Sequence, residues 1–119
     1  MAIGDPITFA YDGANITLNR TGWGSYSSVY EGVATGLALK LSFKHTIPAI
    51  GADGESHLVR LDVDHFDTTT LAFLRRTSAW ISTRTDGLPQ DNENSEDAME
   101  ALVDFLTDGN ITKVVGRQS

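Results

Sequence analysis

One amphipathic helical pattern closes a chain that otherwise reads as strand, and this imbalance constrains the fold more than any other feature. From Ser95 to Asp108, Met99, Leu102, Val103 and Leu106 fall on one helical face, with Ala98, Ala101 and Phe105 beside it. An acidic linker from Asp86 to Asn94 precedes the pattern, and a Gly109-Asn110 stop with a short apolar tail follows it. Asn94 or Ser95 is placed to accept bonds from the first free N–H groups of the helix. A helix of this kind needs an apolar surface to cover, and only strands are available to supply one. The spacing predicts a sheet with a helical lid, and the linker lets that lid swing away from its own sheet.

The strands are legible from alternation. Ile7-Thr8-Phe9-Ala10-Tyr11, the tight-turn pair Asp12-Gly13 and Ile16-Thr17-Leu18-Asn19 predict an N-terminal β-hairpin. Thr21-Gly22-Trp23-Gly24-Ser25 reads as a glycine-broken, irregular connection to a short strand over Tyr26 to Glu31, interrupted again at Gly32 and Gly36. From Leu37 to Ile47 the pattern is clearest: Leu37, Leu39, Leu41, Phe43 and His45 face one side, and Ala38, Lys40, Ser42, Lys44 and Thr46 the other. Pro48 ends the run and Gly51-Ala52-Asp53-Gly54 turns it. Ser56 to Phe66 then sets His57, Val59, Leu61, Val63 and His65 against Leu58, Arg60, Asp62 and Asp64. A last strand from Phe73 to Thr85 sets Thr77, Ala79 and Ile81 against Arg76, Ser78, Trp80, Ser82 and Arg84, although neither side is cleanly apolar.

With 119 residues the chain is sized for one domain and one core. Neither a bilayer-length apolar stretch nor a basic and apolar leader stands in the sequence, so export by a signal peptide is not expected. The absence of cysteine excludes disulfides, thiolate metal sites and a cysteine nucleophile, and suits a reducing cytoplasm. A net charge of −7 argues against nucleic acid only as an average. Eight acidic residues and no basic one lie between Asp86 and Asp108, whereas six basic residues meet five acidic ones between Lys40 and Arg84. At the helical end, Glu96, Asp97 and Glu100 favour a helix start through its dipole.

Catalysis finds little support. Asp62, Asp64 and His65 are metal-ligating types, but alternation points His65 away from the two carboxylates, so a regular strand does not bring all three to one ion. His45, His57 and His65 share the expected core side, where they read as satisfied side chains or subunit contacts; if they cluster, a pH-sensitive interface follows. No phosphate-binding glycine loop, nucleophile elbow or His-Glu-x-x-His pattern occurs. No metal or cofactor is expected.

The order of elements and the local sequence together resemble the coat proteins of single-stranded RNA bacteriophages, the levivirus-type capsid subunits. The run from Ala98 through Phe105 to Ile111 is similar to that family's penultimate helix, its Asp-Gly-Asn break and the start of its final helix. Val29-Tyr30-Glu31 followed by Ala38-Leu39-Lys40-Leu41-Ser42-Phe43 is similar to the segment leading into its central RNA-facing strand. The resemblance implies an α+β subunit: an N-terminal β-hairpin, an antiparallel sheet, and one long and one short C-terminal helix that interlock in a dimer. Residues 1–85 would be hairpin and sheet, and residues 94–119 the helical dimerisation segment. Exposed strand edges and a single helix support exchange independently, because a two-fold mate covers the sheet and protects the edges at once.

The same resemblance turns the wet sheet face toward the inside of a shell. Lys40, Ser42, Lys44, Thr46, Arg60, Ser78 and Trp80 are the expected RNA contacts: cations for phosphate, hydroxyls for sugar or base, an indole for stacking. Met99, Leu102, Val103, Phe105 and Leu106 are the expected dimer interface. Family members also bind a genomic hairpin and so repress replicase translation; Asp62 and Asp64 on the same face oppose phosphate binding. Lys113 and Arg117 are too few to form a basic arm. The connection Phe66 to Phe73 would correspond to the family's variable loop near shell symmetry axes, shortened here. The resemblance thus implies a capsid protein that self-assembles from homodimers into an icosahedral virion around single-stranded RNA, in the bacterial cytoplasm and without a membrane. A non-viral RNA-binding regulatory dimer is the alternative, and a small hydrolase using Asp62 and Asp64 comes third.

Overall fold

The computed structural model describes residues 3–47, 54–85 and 92–117. Six strands form one sheet in chain order: β1 (Ile7–Tyr11), β2 (Ala14–Gly24), β3 (Ser27–Ala34), β4 (Leu37–Thr46), β5 (Glu55–Phe66) and β6 (Phe73–Thr85). Two helices follow, α1 (Asn92–Phe105) and α2 (Asp108–Val115). The expected turn at Pro48 to Asp53 and most of the expected linker lie outside the described residues.

The β1–β2 hairpin turns on Asp12 and Gly13, both with positive φ (49° and 79°). That is the mirror-image two-residue turn whose twist matches its flanking strands. Ile7 then stands opposite Leu18 and Phe9 opposite Ile16, so four apolar side chains share one face. Beyond Leu18, β2 changes partner and pairs with β3, Asn19 opposite Glu31, with a bulge between Arg20 and Gly22. The segment read as an irregular connection is therefore strand up to Gly24. Glycine weakens a strand without ending it, and here one falls at the bulge and another beside the turn. Gly32 does not interrupt β3; the turn falls at Gly36, whose φ is +73°.

The chain divides into two compact units, Met1–Thr46 with His57–Ser82, and Ile47–Ser56 with Thr83–Ser119. In the first, Ile16, Leu18, Tyr30, Leu39 and Val63 form the buried core, with Ile7, Phe9, Tyr11, Leu37, Leu41, Phe43 and Leu61 packed around it. The hairpin thus lays its apolar face on the side of the sheet that alternation marked as apolar. Each fully buried leucine contributes about 1.5–3 kcal/mol. Tyr30 stands edge-on to Phe43, and its hydroxyl donates to the Ile3 carbonyl at 3.0 Å, giving a buried phenol its partner.

In the second unit α1 begins at Asn92, so Ser95 lies in its first turn and does not cap it; the Ser95 hydroxyl bonds the Thr85 hydroxyl instead. The helix also ends earlier than expected, at Phe105. Thr107 takes an extended conformation (φ −74°, ψ 165°), and Asn110 Nδ2 donates to the Phe105 carbonyl at 2.7 Å, satisfying an acceptor the helix leaves open. Gly109 and Asn110 lie in the first turn of α2 and stop nothing; the break comes before them. Leu102, Val103 and Phe105 are 44%, 54% and 55% exposed, Met99 and Leu106 are half-buried, and α2 buries no residue.

Candidate nucleic-acid interface

On the sheet face opposite the core, alternation in β4 puts Lys40, Ser42, Lys44 and Thr46 in a row. Lys40 stands opposite Glu31 of β3, Ser42 opposite Val29 and Lys44 opposite Ser27. The Glu31 carboxylate accepts a 2.6 Å bond from the Thr21 hydroxyl. Lys40 and Lys44 are exposed.

The neighbouring strands add a polar network. Ser78 of β6 donates to Asp62 Oδ1 of β5 at 2.5 Å, and Arg60 Nε donates to the same oxygen at 3.0 Å. Arg76 grips Asp64 with both ends of its fork, Nε to Oδ1 at 2.6 Å and Nη2 to Oδ2 at 3.0 Å. Arg60 also lies over the Trp80 indole, 5.6 Å from the ring centre, while the indole itself is 62% exposed. A cavity of about 430 Å³ opens here, lined in part by Glu31, Lys40, Asp62, Asp64 and Arg76.

These contacts keep both carboxylates charged. For Asp62, burial raises the pKa, but the hydrogen bonds from Ser78 and Arg60 and the positive charges of Arg60 and Arg76 outweigh it, and the net shift is downward. For Asp64 the Arg76 hydrogen bond dominates and holds the carboxyl low, while Asp64 in turn raises the Arg76 pKa. The repulsion expected from the two aspartates is thus answered on the face itself.

Lys40, Arg60, Ser78 and Trp80 are brought into one patch, with Ser42 and Lys44 on the same side of β4 and Thr46 at its end. Arg76 was missed as part of this patch. Its parity with Ser78 and Trp80 signalled the face, but its partner Asp64 becomes visible only once β5 and β6 are in register.

The other chemistry is dispersed. His65 Nε2 lies 3.4 Å from the Thr77 hydroxyl, away from Asp62 and Asp64. Among the described residues, no group of three or more His, Asp or Glu side chains could hold a metal ion. Of the three histidines only two meet, His45 and His57, and His45 is exposed rather than in the core. The Phe66 to Phe73 connection is a closed turn: Asp67 Oδ1 accepts from the Thr69 and Thr70 N–H groups, both at 2.8 Å, and this lowers the Asp67 pKa.

A family model described as the coat protein of phage phiCb5 matches residues 4–86. The chain belongs to that coat-protein family. It is a subunit of the virion capsid of an RNA bacteriophage, not an enzyme, which decides against both the cellular regulator and the hydrolase. Solved structures show the same fold. The virus-like particle of Beihai levi-like virus 21 is similar with a TM-score of 0.73 and 12% identity, over 97% of this chain and 95% of that one. The bacteriophage GA protein capsid gives 0.63 and 10%, again over 97% and 95%. The bacteriophage EMS014 coat protein gives 0.64 and 17%, over 84% and 73%. None of the curated proteins matches the chain. At these identities the coat fold persists while its surface chemistry is free to vary, so the patch on β4 to β6 must be read from this coat protein's own residues.

Proposed function

We propose that this coat protein builds its shell from interlocked dimers and lines the interior with the β4–β6 polar face, where single-stranded genomic RNA is held. The observation that carries this reading is the internal pairing of Asp62 and Asp64. With both carboxylates occupied by Ser78, Arg60 and Arg76, the face offers phosphate the exposed ammonium groups of Lys40 and Lys44. Ser42, Thr46 and Ser78 add hydroxyls suited to sugar and base edges. Trp80, partly backed by Arg60, offers an exposed ring on which an unpaired base stacks.

Dimerisation supplies the cover that the helical segment asks for. Leu102, Val103 and Phe105 are exposed apolar side chains clustered on α1, and the half-buried Met99 and Leu106 extend the same row. A two-fold mate meets this row with its own sheet, and edge strands are covered in the same step. Hairpin binding at the polar face, with repression of replicase translation, follows as the regulatory use of the same contacts.

Expression of the chain in bacteria, followed by sedimentation and electron microscopy, tests the assembly. Closed particles whose absorbance ratio reports nucleic acid are expected. A stable dimer that never closes, or empty particles at low salt, refutes the corresponding half of the proposal.

A further inference from the structure

Away from the RNA face, β4 and β5 carry two imidazoles in direct contact. His45 Nδ1 lies 2.8 Å from His57 Nδ1, with ring centres 5.0 Å apart and planes inclined at 66°. A contact of this kind holds one proton between two ring nitrogens, so at least one of them presents a lone pair there. The proposed capsid function makes no use of this pair. Its two members come from adjacent strands and stand at the ends of those strands that flank the β4–β5 connection.

We infer that His45 and His57 form a two-imidazole site for a tetragonal divalent metal ion, Cu²⁺ ahead of Ni²⁺ and Zn²⁺, which both Nδ1 atoms ligate once the donor ring carries its proton on Nε2 instead of Nδ1. The spacing brings two imidazole ligands within reach of one ion. With metal–nitrogen bonds of about 2.0 Å, two ligands at adjacent corners of a square are separated by about 2.8 Å, whereas tetrahedral ligands need about 3.3 Å. The two Nδ1 atoms stand 2.8 Å apart, close enough for both to reach one ion without moving either strand. Imidazole χ2 is a broad torsion, so each ring can turn, moving its Nδ1 and re-aiming the lone pair together, until both point at a common ion. His45 is exposed, so water can fill the remaining corners. The general affinity order of nitrogen sites, which peaks at Cu²⁺, sets the preference among metals. Bound, the ion ties β4 to β5 across their connection and stabilises the folded chain by mass action.

The test is a Cu²⁺ titration of the purified, assembled coat protein in a weakly coordinating buffer, read by electron paramagnetic resonance and visible absorption. One Cu²⁺ per subunit with two equatorial imidazole nitrogens, displaced poorly by Zn²⁺, is the expected result. His45→Asn and His57→Asn should each weaken binding roughly a hundredfold, the advantage of two pre-placed ligands over one, while His65→Asn leaves it unchanged. Circular dichroism and sedimentation establish that each variant is folded and assembled. No binding at about millimolar Cu²⁺, equal binding by the His45 and His57 variants, or tighter binding of Zn²⁺ than Cu²⁺ overturns the assignment.

Discussion

The carbonyl oxygen of Thr17 occupies the space where a side chain at Gly32 would begin. Leu18 is also close, its Cγ 3.2 Å from the same point. The hairpin settles onto the sheet at this place because β3 has no Cβ there. Gly32→Ala forces backbone apart from backbone, and destabilisation of about 1–3 kcal/mol is expected from overpacking. Urea unfolding monitored by tryptophan fluorescence measures it; an unchanged midpoint refutes the tight contact.

Lys40 and Lys44 are exposed and expected to neutralise phosphate. Replacing both with alanine should flatten the salt dependence of RNA binding by about 0.7 per lost contact on a logarithmic scale. Less RNA should be packaged while dimers stay intact. Loss of folding instead would assign the two lysines a structural role.

Trp80 is largely exposed, with Arg60 beside its ring, so its removal should leave the fold in place. Trp80→Ala should weaken binding of single-stranded RNA by about 1–3 kcal/mol per stacked base. Trp80→Phe should recover part of this. Filter binding with short unpaired oligonucleotides gives the comparison, and equal affinities for all three proteins refute the stacking role.

Asp62 and Asp64 both have folded-state pKa values below that of an unfolded aspartate, about 3.9. As pH falls, the unfolded chain therefore takes up protons first. The stability these groups contribute is complete above about pH 5, begins to fall as pH approaches the unfolded value, and is lost as pH drops through their lower folded values. Acid should loosen β5 from β6, and Asp64→Asn should show a shallower loss of stability below pH 4 than the parent chain. Thermal melts across the acid range, with carboxyl titration followed by NMR, check the sign.

Leu102 is 44% exposed in the isolated subunit and lies in the row of apolar side chains expected to face a partner. Leu102→Glu should leave the subunit's secondary structure intact and shift the protein from particles to small species. Analytical ultracentrifugation distinguishes the outcomes; wild-type particles from this variant would remove Leu102 from the interface.

Much of the fold was legible because local rules suffice for it. Asp12-Gly13 specifies its turn through two positive φ angles, and the Lys40, Ser42, Lys44 alternation assigns a face without knowledge of the neighbours. The resemblance to phage coat proteins rested on the order of such elements, and the family match upholds it. Boundaries were less legible where a local signal competes with a distant partner. Gly22 and Gly24 read as breaks, but pairing with β3 carries the strand through them. Gly109-Asn110 reads as a stop, but Asn110 reaches back to Phe105 from inside the next helix.

By itself the sequence determined which side chains share a face, because strand and helix periodicities are properties of the backbone alone. What only the tertiary structure decided is which charges cancel. Asp62 and Asp64 looked like obstacles to RNA until strand register set Ser78 and Arg76 beside them, and His45 and His57 were two of three histidines until β4 and β5 brought their nitrogens together. Electrostatic and hydrogen-bond energies depend on distances of a few ångströms across strands. Those distances are fixed by register and packing and not by spacing along the chain.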